Sequence, residues 1–336
     1  MVTIKDIAKK AGISITTVSR ALNNYNDVNE VTKERIFRIA KEIGYIPNRS
    51  AQNLVKRQSN TLAIILSGLE RDGGKDNIIY RLLSGMYSYA ETVNYEVALF
   101  TSSSAHQRDK SYVQFCNEHN IGGAVIAGIR LDDPYVNELI NSDLPCVLID
   151  LIEEGLNISS ISINNLEAAK EATEFLIQHR HKNIGMINGR KEAGVSLERL
   201  KGYQMALEQN KIPYNSERVV FANFLEDAAY DAAQRLLSEH PEITALFCAS
   251  DMMALSAMRA IKDLGLTIPG DISIVGFDNI PLSEYSAPSL TTVNQDFYLM
   301  GEEAAKQLLQ MIQREAIKKV VHLEYKILAR DSVRML

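Results

Sequence analysis

The sequence predicts an α/β protein with a small all-α head of helix-turn-helix type and a two-lobed body built on parallel sheets. Three observations predict it. The first sixty residues hold three short amphipathic helical patterns. From residue 61 onward, apolar strand-like runs alternate with helical stretches. That alternation is then repeated, which implies two sheets and two lobes. With about 150 residues per domain, 336 residues accommodate roughly two domains and a small extra module.

The first helix begins at Thr3, which has capping-box spacing to Asp6. Ile4, Ile7, Ala8 and Ala11 fall on one face, and Gly12 stops the helix. Ser14 caps the second helix, with Ile13 and Val18 at hydrophobic-staple spacing and Val18, Ala21 and Leu22 as the inward stripe. Thr32 is expected to cap the third, with Val31 and Ile36 as its staple pair. Its buried face is Ile36, Ile39, Ala40 and Ile43, and Gly44 stands at its end. Two helices joined by a short turn containing Gly form a helix-turn-helix, whose second helix enters the DNA major groove.

If Val18, Ala21 and Leu22 face inward, then Ile15, Thr16, Ser19 and Arg20 face outward. Arginine is the side chain best shaped for two hydrogen bonds to a guanine edge. Thr16 can bond a base or meet a thymine methyl, and Ile15 offers apolar contact. Thr17 and Asn23 are placed for phosphates, which set register without reading sequence. The charge agrees: residues 1–60 hold eleven Lys/Arg against five Asp/Glu, net +6, while the remaining 276 residues carry net −12. The partner expected for the head is double-stranded DNA.

The stretch TIKDIAKKAGISITTVSRALN, followed by VTKERIFRIAKEIGYIPNRSAQNL, resembles the DNA-binding head of the LacI/GalR family of bacterial transcription repressors. The resemblance runs through nearly the whole chain, including VGFDNIPLSEYSAPSLTTVNQD and MGEEAAKQLL. It implies that the short segment after Pro47 is a hinge helix that orders on operator DNA, with Leu54 as the wedge that unstacks a base step in the minor groove. Read alone, that segment is a linker too short to hold a helix unaided, and packing on the body is then the favoured reading of Leu54. Thr3, Asn48 and Lys56 complete the residues assigned to DNA.

In the body, Thr61 to Ser67, Glu96 to Thr101, Gly123 to Gly128 and Pro145 to Asp150 read as buried parallel strands, with helices over Ile78 to Val93 and Lys110 to His119. A second set follows at Ile184 to Gly189, Val219 to Ala222, Ala245 to Ser250 and Ile272 to Phe277. The body resembles periplasmic sugar-binding proteins. The organisation expected is a head over 1–49, a hinge helix and linker over 50–60, and an effector-binding and dimerisation domain over 61–336. Within that domain, lobe 1 spans about 61–162 and 292–321, and lobe 2 about 163–291 and 322–336.

Ligands of such folds sit beyond the carboxyl ends of strands, in a cleft that two lobes can close. Asp150, Ser250, Asp251 and Asp278 end strands, and Arg199 follows the Gly189 turn on a helix. Carboxylates beside an arginine suit a neutral polyhydroxylated ligand, and Phe224 offers a face for stacking. The resemblance implies Asp150, Arg199, Phe224, Ser250 and Asp278 as effector contacts. Taken singly, a strand-end Asp caps the next helix as readily as it touches a ligand, and Asp251 is assigned to capping. The chain departs from the family pattern at Glu70 to Tyr80, at Asn164-Asn165 and at Ser162. Ser250 stands where some sugar-responsive members carry Asn, which leaves room for a nucleoside or a phosphorylated effector.

Other classes are disfavoured. No run approaches the ~18 apolar residues of a membrane span, and Met1 to Asp6 has no basic or apolar leader region, so a cytoplasmic protein without a membrane partner is expected. A solute-binding receptor would need export. Cys116, Cys146 and Cys248 are scattered in apolar runs and read as buried thiols. The six histidines form no metal-spaced cluster, and the phosphate-binding glycine motifs are absent, so neither an enzyme nor a metal or other cofactor is expected. The function expected is a sequence-specific repressor that binds a pseudo-palindromic operator as a homodimer, under control of a carbohydrate effector. The alternative is control by a protein corepressor docking on the first lobe.

Overall fold

A computed structural model of the chain describes residues 2–22, 25, 27–45, 61–67, 76–102 and 110–336. The chain divides into two compact units, Met1–Asn60 and Thr61–Leu336. In the first unit, helices α1 (Ile4–Ala11), α2 (Ile15–Leu22) and α3 (Glu30–Glu42) close over a core that includes Ile7, Ala11, Val18, Ala21, Val28 and Ile36. At α1 the Asp6 carboxylate accepts both the backbone N–H and the hydroxyl of Thr3, each at 2.8 Å. At α2 the Ser14 hydroxyl accepts the Thr17 N–H at 3.0 Å.

The third helix begins three residues earlier than the sequence pattern predicts. Asn29, not Thr32, is its cap, and its side-chain oxygen accepts the Thr32 N–H at 2.8 Å. Val31 is 77% exposed and staples nothing, whereas Val28 is buried. The buried valine decides between two residues that cap about equally well, because burying it stabilises by roughly 1.5–3 kcal/mol.

The second unit contains two six-stranded sheets. The first runs β2 (Glu96–Ser102), β1 (Thr61–Ser67), β3 (Ala124–Ala127), β4 (Cys146–Ile149), β5 (Ile158–Ile163) and β11 (Val320–Leu323), every pair parallel. Successive residues of β1 face opposite ways, as the strand period requires. Leu62, Ile64 and Leu66 pack with helices α4 (Asp76–Thr92) and α12 (Phe297–Ile312). Ala63 and Ile65 pack with α5 (Tyr112–Glu118) and α6 (Val136–Ile140). Burial on both faces explains why β1 reads as an unbroken apolar run.

The second sheet runs β7 (Val219–Phe221), β6 (Ile184–Asn188), β8 (Ala245–Cys248), β9 (Ser273–Asp278), β10 (Thr291–Gln295) and β12 (Tyr325–Leu328). Its helices are α7 (Asn165–Gln178), α8 (Gly194–Gln209), α9 (Glu226–Glu239), α10 (Asp251–Asp263) and α11 (Pro281–Tyr285). β12 runs antiparallel to β10, unlike the all-parallel sheet expected. Placing residues 292–321 in the first lobe also needs correcting. β10 pairs in parallel with β9, so the chain leaves the second sheet after Gln295, and β11 stays with the first sheet to Leu323.

The three thiols are buried, and burial pushes Cys116 up to about 12, which leaves it unreactive at neutral pH. His181, also buried, ties the start of the second sheet to the chain's last residues. The Arg334 carbonyl can only accept, so Nε2 donates to it at 3.1 Å and Nδ1 accepts the Thr244 hydroxyl at 2.9 Å. Burial lowers the pKa of this imidazole below its ordinary 6.5. The unfolded chain therefore binds the proton more readily, and stability is lost as pH falls through 6.5. Urea unfolding at pH 5.5 and 7.5 is expected to show this loss, and His181→Gln to remove that part of it.

Candidate functional site

In the head, α2 turns Val18 and Ala21 into the core and leaves Ile15, Thr16 and Arg20 exposed, with Ser19 half-buried. Thr17, also half-buried, is anchored at the cap through its N–H and through its hydroxyl, 2.8 Å from that of Ser14. Thr3 is exposed and bound to Asp6. Asn23, Asn48, Leu54 and Lys56 lie outside the described residues.

The exposed face of α2 is an outward row of an apolar, a hydroxyl and a guanidinium group on a rod two turns long. Lys5, Lys9, Lys10, Arg38 and Lys41 of the same unit are also exposed, in a segment of net +6. Lys33 is the exception: its stem is buried and its ammonium is held by Glu30 at 2.8 Å. One feature of Arg20 was not foreseen. Its guanidinium forms a two-toothed ion pair with Asp27 and lies over the Tyr25 ring.

In the body, the carboxyl ends of strands from both sheets surround a cavity of about 220 Å³. Asp150, Arg199, Phe224, Ser250 and Asp278 all line it. Asp150 follows β4, Phe224 follows β7, Asp278 ends β9, and Arg199 reaches in from the second turn of α8. Several backbones here adopt the left-handed region that non-glycine residues seldom occupy. They are Asp150 (φ 58), Asn223 (φ 56), Phe224 (φ 60), Asp278 (φ 112) and Asn279 (φ 53). The first four are sharp turns that place a residue on the cavity wall, whereas the Asn279 side chain turns to Asn294 and Arg330, and the surrounding lobe has to support the strain. The Phe224 ring packs where a Cβ on Gly189 would stand, so glycine there is what seats the aromatic wall.

The polar centre is continuous. Arg199 Nε donates to Asn165 Oδ1 at 2.9 Å, Asn165 Nδ2 donates to the Ser162 hydroxyl at 3.0 Å, and that hydroxyl donates to Asp150 at 2.6 Å. This chain joins the strand ends of the first lobe to a helix of the second. Arg199 also donates to the Ala249 carbonyl at 2.6 Å and lies 3.7 Å over the Phe277 ring. Burial raises the Asp278 carboxyl to about 7, opposed by Arg199 and by Gln295, whose amide donates to it at 2.7 Å. Burial also raises Asp150 and lowers Arg199, which still carries its charge between the two carboxylates.

The capping role assigned to Asp251 falls to its neighbour. Ser250 caps α10, its hydroxyl accepting the Met253 N–H, while still lining the cavity. Asp251 is fully buried and instead accepts the Ile280 N–H and the Thr292 hydroxyl. Gln295 was not foreseen. It is 1% exposed and lines the cavity, and its amide oxygen accepts from no described group. Sequence reading also missed the apolar wall of Leu66, Ile78, Ile79, Ile129, Val195 and Phe297. At the mouth, the Leu131 N–H of the first lobe donates to the Glu192 carbonyl of the second at 2.8 Å, closing the lobes on one another.

Among the described residues no group of His, Cys, Asp and Glu is placed to hold a metal ion, and no helix is long and apolar enough to cross a membrane. Comparison with known proteins matches residues 3–48 to bacterial regulatory proteins of the lacI family and residues 173–333 to the periplasmic binding protein-like domain. The HTH-type transcriptional repressor CytR of Escherichia coli (strain K12) is 33% identical over 99% of this chain and 97% of that protein. The Lac repressor dimer bound to operator and the anti-inducer ONPF superposes with a TM-score of 0.85 at 27% identity, covering 99% of both chains. The transcriptional regulator CelR in complex with cellobiose superposes with a TM-score of 0.74 at 27% identity, covering 99% of this chain and all of that one.

Proposed function

Because this chain belongs to the lacI family of bacterial regulatory proteins and is a DNA-binding transcriptional repressor rather than an enzyme, we propose that it reads a pseudo-palindromic operator as a homodimer and answers to a small molecule in the interlobe cleft. It acts where the chromosome is, in the cytoplasm. The observation that carries the DNA reading is the row Ile15, Thr16 and Arg20 facing solvent while Val18 and Ala21 of the same two turns are buried. Thr3, Thr17, Asn23, Asn48 and Lys56 are assigned to the backbone of the duplex, and Leu54 to the minor-groove wedge. A single head touches few phosphates, and a two-fold protein matches a two-fold site. A second copy would also cover large side chains that the body leaves open, among them Tyr80, Tyr87 and Tyr285.

In band-shift titrations on an operator selected from random duplexes, Arg20→Ala is expected to lose about 1–3 kcal/mol of discrimination at one guanine and to retain non-specific binding. Unchanged sequence preference in that variant would overturn direct reading by Arg20.

For the effector, Asp150 and Asp278 flanking Arg199 support vicinal hydroxyl groups as the ligand's polar edge, and Phe224 supports a ring face. The effector proposed is therefore a carbohydrate. The cavity is smaller than the roughly 300–1,000 Å³ of drug-sized sites, which among carbohydrates favours a monosaccharide over a disaccharide. The apolar wall supports a second reading, a nucleoside, whose base would lie on that wall while its sugar meets the carboxylates. Ligand acts on operator affinity only through its different affinities for the lobe arrangements. A thermal-shift screen over sugars, sugar phosphates and nucleosides tests all of this. A ligand at a hundred times its Kd adds about 2.7 kcal/mol to stability. Asp278→Asn is expected to abolish the shift, and a flat screen across all three classes would favour a protein corepressor.

A further inference from the structure

The Arg20–Asp27 pair does no evident work for the fold. Both side chains are about half exposed, and an exposed ion pair adds little to stability. Its geometry is nonetheless tightly defined. Arg20 Nε donates to Asp27 Oδ1 at 3.1 Å and Nη2 to Oδ2 at 2.6 Å, and the guanidinium carbon lies 4.9 Å from the centre of the Tyr25 ring. Nor is Asp27 on a loose tether. The Tyr25 N–H donates to the Arg20 carbonyl at 3.0 Å, Val28 is buried in the core, and Asn29 caps α3. The carboxylate is therefore fixed relative to the helix that carries the arginine.

We propose that Asp27 is a specificity-determining positioning residue, which grips one edge of the Arg20 guanidinium and thereby presents its remaining donors to a base rather than to a phosphate. The inference rests on the reading of Arg20 as a base reader. A guanidinium has five N–H donors, and Asp27 takes two along the Nε–Nη2 edge, leaving both hydrogens of Nη1 and the second of Nη2 for guanine O6 and N7. An untethered arginine satisfies a phosphate as well as a base, and phosphate contacts are blind to sequence. The carboxylate adds a second effect of the same sense, because its charge repels the backbone and lowers affinity for every duplex alike. Asp27 thus exchanges affinity for discrimination.

The test is in vitro selection from random duplexes with the full chain, followed by titration of the selected site and its single-base variants. Wild type, Arg20→Ala, Asp27→Asn and Asp27→Glu are compared, with thermal melts confirming that each is folded. Asp27→Asn is expected to bind non-specific duplex more tightly, by about two- to threefold, and to lose roughly fivefold in preference for the guanine that Arg20 reads. Asp27→Glu keeps the charge but moves the carboxylate by one methylene, so it should lose preference with no gain in non-specific affinity. If Arg20→Ala erases the preference and both Asp27 variants keep it, the positioning role is overturned while base reading by Arg20 stands. If Arg20→Ala keeps the preference too, both fall.

Discussion

Arg199→Met is expected to destabilise the body by about 4 kcal/mol and to abolish the effector response, because removing this buried cation leaves the buried carboxylates of Asp278 and Asp150, whose charges it offsets, uncompensated. Methionine roughly matches the stem of arginine and keeps contact with the Phe277 ring, so little of this loss is cavity formation. What is lost is the buried guanidinium that offsets the charges of Asp278 and Asp150, together with the hydrogen bonds to Asn165 and the Ala249 carbonyl. Buried groups left without a partner account for much of the cost.

The pH dependence separates this account from simple misfolding. In the folded chain Asp278 is raised to about 7 from the ordinary 3.8, so between those values the folded state holds more proton than the unfolded one. That part of the stability falls as pH rises. Without the guanidinium the folded pKa climbs further, and the deficit of the variant widens from pH 6 to pH 8. Adding Asp278→Asn should recover part of the loss, since the two groups share one network. Urea unfolding of the four proteins at two pH values measures this. A deficit independent of pH, unrelieved in the double variant, would remove the charge balance as its cause.

The helix-turn-helix and most of the body strands are legible in the sequence because burial imposes the period. Three inward residues on α2 settle which others face out, and β1 shows its apolar run because both its faces are covered. What stayed hidden was decided by partners distant in sequence. β5, read as ISSISI, has no apolar alternation to mark it, since Ser159 and Ser160 are buried by hydrogen bonds and sheet pairing. The short edge strand β12 turns antiparallel only because it returns against β10. The cap of α3 went to Asn29 because Val28 could be buried and Val31 could not.

At the cleft, motif positions named the five lining residues, yet chemistry alone could not apportion Ser250 and Asp251. Their roles depend on Thr292 and the Ile280 N–H, which are supplied by other strands and loops. Asn165 and Gln295 escaped for the same reason. Their contacts are to Arg199 and Asp278, 34 and 17 positions away.

The other large effect is expected where α4 crosses α12. The two helices meet backbone to backbone through Gly85 and Gly301. A Cβ on Gly85 would collide with the Tyr298 carbonyl oxygen and stand 2.9 Å from the Glu302 nitrogen. One on Gly301 would collide with the Leu82 carbonyl oxygen and stand 3.0 Å from the Met86 nitrogen. Backbone atoms cannot swing aside as a side-chain tip does, so a single methyl must push one helix off the other. Alanine's better helix propensity recovers only about 1 kcal/mol. Gly85→Ala or Gly301→Ala is accordingly expected to cost about 3 kcal/mol net, at the upper end for overpacking. The double variant should cost much less than the sum, because both methyls force open the same crossing. The displacement also reaches the site: Ile78, Ile79 and Leu82 of α4 and Phe297 of α12 are all walls of the cleft. Both single variants should therefore weaken the effector's thermal shift while leaving non-specific DNA binding intact, since the head has a core of its own. Denaturation midpoints within about 0.5 kcal/mol of wild type in both would mean that the helices can part at no cost, and the close crossing would then hold neither the fold nor the wall in place.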